Sequence, residues 1–409
     1  MNNLAKLKQK VIDEGGRIPI YLDSQATTPT DPRVVEAMIP YFTHNFGNPH
    51  SRSHQYAWEA EEACELARSQ VASLIGAVPK EIVFTSGATE SNNMALKGIA
   101  KFYGNKRNHI VTLVTEHKCI LDTARHLEQD GFEVTYLPVQ PNGLVDLNQL
   151  EEAVTHNTVL VSVMAVNNEV GSISPLRQVA KVVRANSPSA ILHTDAVQAT
   201  CWQDLREISK LVDVLTVSAH KFGGPKGMGV TMQRIGLEID PLIVGGGQER
   251  DRRSGTHNVG GIMATAAALR ETDSTREAEI SRVTKLRDAL VDAVISELDD
   301  VIETVAREKR VPGIAHLCIA GCESESILFL LDEAMICASA ASACASGAME
   351  PSHVLLAMGV DAKYSVGALR MSLGHTTTEQ EIDRASSALI AAVNQLRRNK
   401  TAPRVSASK

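Results

Sequence analysis

The sequence predicts an α/β fold: a mostly parallel sheet flanked by helices, followed by a smaller α+β domain. Three observations carry that prediction. First, 409 residues with 44% hydrophobic content are enough to bury a sizeable core, and the length suggests about two domains. Second, from about residue 80 short β-branched runs alternate with amphipathic segments of the length that βαβ crossovers need. Third, after about residue 265 the pattern changes to long helical periodicity, as in "EAEISRVTKLRDALVDAVISEL", with isolated strand-like runs such as "IAHLCIA".

Taken in order, the chain opens with a helix expected over residues 2 to 14, which would pack back on the small domain. The run "EIVFT" precedes the helical "SGATESNNMALKGIAKFY", "HIVTLV" precedes "CILDTARHLEQDG", and "EVTYLPV" precedes "LNQLEEAV". "TVLVSVMAV" then leads to "PLRQVAKVVRAN", followed by "AILHTDAV" and "VDVLTVSAH". Such alternation implies parallel strands with helices on both faces. The large domain is expected over residues 20–265 and the small one over 266–409, with the segment 1–19 packing on the small one. The final "KTAPRVSASK" reads as a frayed end.

A net charge of -7 without a long Lys/Arg block argues against nucleic acid or an anionic membrane as the main partner. A small acidic substrate remains compatible with it. The first residues lack the apolar centre of a secretory signal, and no span is long enough to cross a bilayer, so a cytoplasmic location is expected. Seven scattered cysteines suit reduced thiols better than a disulfide framework. His316, Cys318 and Cys322 in "HLCIAGC" lack a matching second pair at structural-zinc spacing, so no metal site is expected.

In open α/β sheets ligands gather at the carboxyl ends of the strands. Here those ends are polar: Ser86-Gly87-Ala88-Thr89, Thr115-Glu116-His117, Asn167-Asn168-Glu169, Asp195 to Gln198, and Ser218 to Lys221. The turn "SGATES" offers backbone N–H groups and hydroxyls to an anionic phosphate, although an ordinary helix cap reads the same. Asp195 fits either a cap or a carboxylate opposing a protonated pyridine nitrogen, and His117 either a core histidine or a ring stacked on a planar cofactor. Lys221 follows a buried strand and enters "GGPKG", where backbone packs closely, as a Schiff-base lysine in a partly desolvated pocket requires. Phosphate cradle, carboxylate, imidazole and lysine together point to pyridoxal 5'-phosphate.

From "YLDSQATTPTDPRV" to "LRMSLGHTTTEQEID" the chain resembles the cysteine desulfurases of the NifS/IscS type, within the fold type I pyridoxal phosphate enzymes of the class V aminotransferase superfamily. The motifs "FGNPHSRSH", "EIVFTSGATESNN", "TEHKCILDT", "VNNEVG", "HTDAVQ", "SAHKFGGPKG", "GGGQERDRRSGTHN" and "SACASGAMEPSHVLLAMG" carry the resemblance. It implies that Lys221 holds the cofactor covalently, that Asp195 pairs with the ring nitrogen, that Gln198 contacts the phenolic oxygen and that His117 stacks on the ring. It assigns the phosphate to Thr89, Ser218 and His220, with Ala88 also at the cofactor and Thr256 reaching in from the other subunit of a homodimer. Asn168, Arg370 and Asn48 would bind the substrate amino acid, Arg370 forking onto its carboxylate.

The resemblance further implies conversion of L-cysteine to L-alanine, with Cys344 in "ASAASACASGAMEP" taking the sulfur as a persulfide. An acceptor protein such as an iron-sulfur scaffold would receive it, or a tRNA or DNA thiolation route. An aminotransferase or a selenocysteine lyase of the same fold is the alternative, and an aminotransferase would have no need of Cys344. The surroundings of Cys344 are richer in alanine than is usual in the family, and the chain ends without a long acidic and aromatic tail. Cys119 is assigned no role.

Overall fold

The computed structural model describes the backbone of residues 18–340 and 352–401. The helix expected over residues 2 to 14 lies outside the described residues. In chain order the strands are β1 (Ile20–Tyr21), β2 (Ile82–Thr85), β3 (His109–Leu113), β4 (Glu133–Leu137), β5 (Thr158–Ser162), β6 (Ile191–Asp195), β7 (Val214–Ser218) and β8 (Gly229–Gln233). They continue as β9 (Val301–Glu303), β10 (Ile314–Ile319), β11 (Ile336–Cys337), β12 (Ser339–Ala340) and β13 (Ala368–Ser372). The chain divides into a larger unit, Ala26–Asn168 with Ser172–Glu277, and a smaller one made of the residues up to Gln25, Glu169–Gly171 and the chain from Ala278.

The larger unit is built on a seven-stranded sheet in the order β2-β8-β7-β6-β5-β3-β4. β3 to β7 pair in parallel, and β2, β3, β5, β6 and β7 are buried along their whole length, as continuous Val/Ile/Leu runs dictate. β8 departs from the expected pattern: "GVTMQ" folds back antiparallel between β2 and β7. Its glycine start and polar residues carry little apolar signal. Because β8 is reversed against both neighbours, β2 runs in the direction of β7, and the carboxyl ends of β2, β3, β5, β6 and β7 share one edge.

Helix Ala88–Tyr103 lays Met94, Leu96 and Ile99 against Ile110, Ile120, Leu160 and Val214 from the sheet and the next helix. Each such side chain contributes roughly 1.5–3 kcal/mol on burial. This face fixes where the helix starts, and hence where its first turn points.

One polar group lies inside the sheet: His193 is fully buried, with Nδ1 2.9 Å from Ser162 Oγ and Nε2 3.4 Å from Thr216 Oγ1. Burial pushes its pKa from 6.5 down to about 3, so the unfolded chain binds more protons than the folded one between those values. The stability it contributes is fully present above pH 6.5 and is lost as pH falls, by up to about 1.4 kcal/mol per pH unit. His193→Gln is expected to flatten the acid-side slope of unfolding free energy by up to that amount. Equal slopes in denaturant titrations of the two proteins would contradict the assignment.

The smaller unit holds the antiparallel sheet β12-β13-β10-β9 and the parallel pair β1-β11. Helices Ser324–Glu333 and Glu379–Thr401 pack on one another there. Arg370 sits mid-strand in β13, opposite His316 of β10 and Ser339 of β12. The 39-residue helix Val259–Glu297 runs without a break through the expected 265–266 junction, and its residues from Ala278 belong to the smaller unit. Among the described residues no helix is long and apolar enough to cross a membrane.

Candidate active site

The shared edge of the large sheet gathers most of the polar residues singled out in the sequence. β2 ends in Ser86-Gly87, and Gly87 caps the 16-residue helix Ala88–Tyr103 at φ +148 without a side-chain cap bond. A β-carbon built at Gly87 would stand 3.8 Å from Ser218 Oγ, at the end of β7. The absence of a side chain therefore opens a space bounded by first-turn N–H groups, the Ser218 hydroxyl and the exposed Thr89. That is the donor set and the positive helix end that a phosphate monoester requires. Ala88 opens the same first turn.

Asp195, the last residue of β6, is buried and accepts from Asn92 Nδ2 at 2.7 Å and from the Val197 N–H at 3.0 Å. Two fixed donors hold its carboxylate in one orientation. His117 caps helix Lys118–Gln129, its Nδ1 accepting from the Cys119 N–H at 3.1 Å. That contact leaves the proton of a neutral ring on Nε2. Desolvation of this exposed-edged ring, aided by the Lys221 charge and opposed by Asp195, holds its pKa below the ordinary value, so the imidazole is neutral at pH 7. The same mutual influence places His117, Asp195 and Lys221 in one electrostatic neighbourhood.

Lys221 ends a short turn, Ala219–Lys221, directly after β7. Half-buried, it donates from Nζ to the Ala26 carbonyl at 2.9 Å. The turn is braced by "ATTPT": Thr28 donates its N–H and its hydroxyl to the His220 carbonyl at 2.9 and 3.0 Å, and its Oγ1 accepts from the Gly223 N–H at 2.9 Å. His220 Nδ1 lies 3.1 Å from Thr27 Oγ1, and burial with the nearby Lys221 and Lys226 charges lowers the His220 pKa to about 4. Gly224 is required by packing, since a β-carbon there would come 2.7 Å from Ala219 Cβ and 2.9 Å from its carbonyl oxygen. The lysine thus stands on a rigid turn.

The remaining positions are distributed as follows. Gln198 is buried in the turn after β6, and Asn168 is half-buried after β5, beside Asn167, whose Nδ2 reaches the Thr115 carbonyl at 3.1 Å. Asn48 is exposed, its Oδ1 accepting from the His50 N–H at 3.0 Å. Thr256 is exposed on the "GGGQERDRRSGTHN" segment and lines a cavity of about 150 Å³ with Ser86, Met228 and Arg253. Arg370 belongs to the smaller unit, where it is largely buried and donates to Asp23 Oδ1 at 3.0 Å. Cys344 lies outside the described residues. The segment containing it is flanked by β12, whose Ser339 pairs with Arg370, and by Ser352, whose hydroxyl donates to the buried Glu169 carboxyl at 2.5 Å. Burial, against Ser352 and Arg370, raises the Glu169 pKa to about 7.

Sequence reasoning gave no role to three contributors. Asn92 joins Asp195 to Cys119 Sγ, 3.3 Å away, and its signal was a polar residue on the buried face of an amphipathic helix. Glu116 is fully buried, accepts from the Met164 N–H at 2.6 Å, and is raised well above the ordinary carboxyl range by burial, with Asp195 adding to the effect. The "ATTPT" brace gave no local chemical signal, because it acts through backbone contacts made some 190 residues away.

The large unit fits pyridoxal phosphate on its own donors: an anion seat at Gly87 and Ser218, an oriented carboxylate at Asp195, a neutral imidazole at His117 and a primary amine at Lys221. The aminotransferase class-V family profile matches residues 20–385. The chain is 48% identical over 382 residues to "Cysteine desulfurase IscS" of Rickettsia bellii, covering 93% of this chain and 92% of that protein. It is 47% identical over 385 residues to the protein of the same name from Rickettsia akari, with the same coverage. Among solved structures, a "NIFS-LIKE PROTEIN" superposes with a TM-score of 0.87 at 37% identity, covering 92% of this chain and all of that one. DndA from Streptomyces lividans superposes at 0.72 with 36% identity, covering 86% and 99%.

Proposed function

The chain belongs to the aminotransferase class-V family, and from that premise we propose that it is a pyridoxal phosphate-dependent cysteine desulfurase using Lys221, Asp195, His117, Arg370 and Cys344. The observation that carries the reading is the single sheet edge on which Lys221, Asp195, His117 and the Gly87–Thr89 turn converge.

In this reading Lys221 would hold the cofactor aldehyde, Asp195 the ring nitrogen and Gln198 the phenolic oxygen, while Ala88, Thr89, Ser218 and His220 would hold the phosphate. Bound pyridoxal phosphate supplies an electron sink for the pair left behind when the substrate α-proton departs. The chain's own groups do the rest. Arg370, pre-oriented by Asp23, takes the carboxylate of L-cysteine, with Asn168 and Asn48 as further substrate contacts. The Lys221 amine would be the base that takes the α-proton. Neutral His117, with Nδ1 accepting from the Cys119 N–H and its proton on Nε2, would act as a proton donor toward the bound substrate. Cys344 thiolate then forms an S–S bond to the substrate sulfur as the carbon–sulfur bond breaks. L-cysteine and one enzyme thiol become L-alanine and one enzyme persulfide, with no external oxidant.

A homodimer completes the site, with Thr256 offered to the partner. An exposed apolar strip in the larger unit, Ile39, Phe42, Phe46, Tyr56 and Trp58, supports such an association. The persulfide passes to an acceptor protein such as an iron-sulfur scaffold, in the cytoplasm. The reading is tested by incubating holoenzyme with L-cysteine and reductant in the absence of any keto acid. Stoichiometric alanine and sulfide are expected; alanine that forms only when a keto acid is added would replace desulfuration by amino transfer.

A further inference from the structure

The segment that carries Thr256 is fastened to the cofactor-phosphate turn by two carboxylates to which the reading above gives no role. Glu249 is buried, and its backbone, with those of Arg250 and Asp251, adopts positive φ angles of 49, 59 and 65°. Three consecutive non-glycine residues in that region persist only where their surroundings hold them. Here the holding is specific. Glu249 receives both terminal nitrogens of the buried Arg68 at 2.7 Å, the Phe84 N–H of β2 at 2.8 Å, and stands 2.7 Å from His257 Nε2. Burial would raise the Glu249 carboxyl, but His257 and Arg68 more than offset it and lower its pKa to about 2.

The second carboxylate is Glu90, in the first turn of helix Ala88–Tyr103. It accepts from the Ser86 N–H at 2.9 Å and the Ser86 hydroxyl at 2.5 Å, and from Arg253 through Nε at 2.7 Å and Nη2 at 3.2 Å. Arg253 and His257 bracket Thr256 in sequence, while Phe84 and Ser86 lie just before Gly87. Both clamps therefore join the same two pieces: the strand and turn that seat a phosphate in this chain, and the segment that offers Thr256 to the partner.

We propose that Glu249, with Glu90 as its second point of attachment, is a positioning residue for the cofactor phosphate, fixing the chain's own phosphate turn and the Thr256 segment as one body. The proposal rests on the reading that the phosphate occupies Gly87–Thr89 and the partner's cradle. A carboxylate that sets only the phosphate cradle matters to pyridoxal phosphate and not to pyridoxal, which carries the same ring and aldehyde without the phosphate. A merely structural carboxylate would affect both ligands alike.

The test is equilibrium titration of the full-length apo dimer with pyridoxal phosphate and, separately, with pyridoxal, followed by the visible absorption of the bound aldehyde. Glu249→Gln takes from the buried Arg68 its buried carboxylate partner and leaves it only the exposed Glu65 carboxylate, 2.9 Å from Nε. It is expected to raise the Kd for pyridoxal phosphate at least about tenfold while leaving that for pyridoxal within about twofold. Glu90→Gln, at a less buried site, is expected to shift in the same selective direction by a smaller factor and decides the question if Glu249→Gln does not fold. Equal weakening of both ligands, or no change in either, overturns the proposal. Wild-type protein that takes up no pyridoxal phosphate removes the functional reading, and the proposal with it.

Discussion

Lys221→Ala is expected to yield a folded protein that stays colourless with pyridoxal phosphate and loses at least about 10⁴-fold in alanine formation from L-cysteine. The size follows from two duties resting on one amine. In the proposed mechanism it would hold the cofactor and would serve as the base for the substrate α-proton. No other group described at this edge can replace it: His117 is a neutral ring turned through Nδ1 to Cys119, and His220 is engaged with Thr27 and held neutral. The turn itself should survive, because Thr28 and Gly223 brace it through backbone groups that the substitution leaves in place. Circular dichroism matching wild type, together with absent visible absorption, is the expected pair of results. Retained colour with retained turnover would move the covalent site elsewhere.

Cys344→Ala has a different signature. Cofactor uptake and colour are expected to be unchanged, while persulfide and alanine formation fall at least about 10³-fold, since the substitution removes the proposed sulfur acceptor and leaves the proposed ring-binding residues in place. A free thiol of pKa about 8.5 is only a few per cent thiolate at pH 7, so turnover in wild type should rise with pH until that group is ionised. The other cysteines near the site are poor substitutes. Burial pushes the Cys119 thiol up to about 12, and Cys201 is spent on the Lys221 carbonyl at 3.4 Å. Undiminished alanine release by Cys344→Ala would dismiss the assigned nucleophile. Loss of colour would instead assign Cys344 to the cofactor site.

The parallel strands and the residues at their carboxyl ends were legible because buried strands and polar termini leave local marks. "ILHTDA" and "VLTVSAHK" state both the strand and what it delivers, and the structure brings Asp195, Ser218 and Lys221 to one edge. β8 was not legible, since five residues beginning with glycine resemble the loop they continue. Nor were the groups that hold the site together. Thr28, Glu90 and Glu249 act at separations of 192, 163 and 165 residues, and a threonine or a glutamate at such positions reads as an ordinary solvated side chain until the fold brings its partner. The candidate site side chains are advertised by residue type, whereas their supports are defined only by contact.

The central claim is that Lys221 carries the cofactor aldehyde at the carboxyl edge of the large sheet. Reducing the holoenzyme with borohydride, digesting it and mapping the pyridoxyl mass tests it most directly. The account predicts the label on the peptide containing "SAHKFGGPK", at Lys221, with loss of both visible absorption and desulfuration. A label on another lysine, or none in a protein that still makes alanine from cysteine, would contradict it.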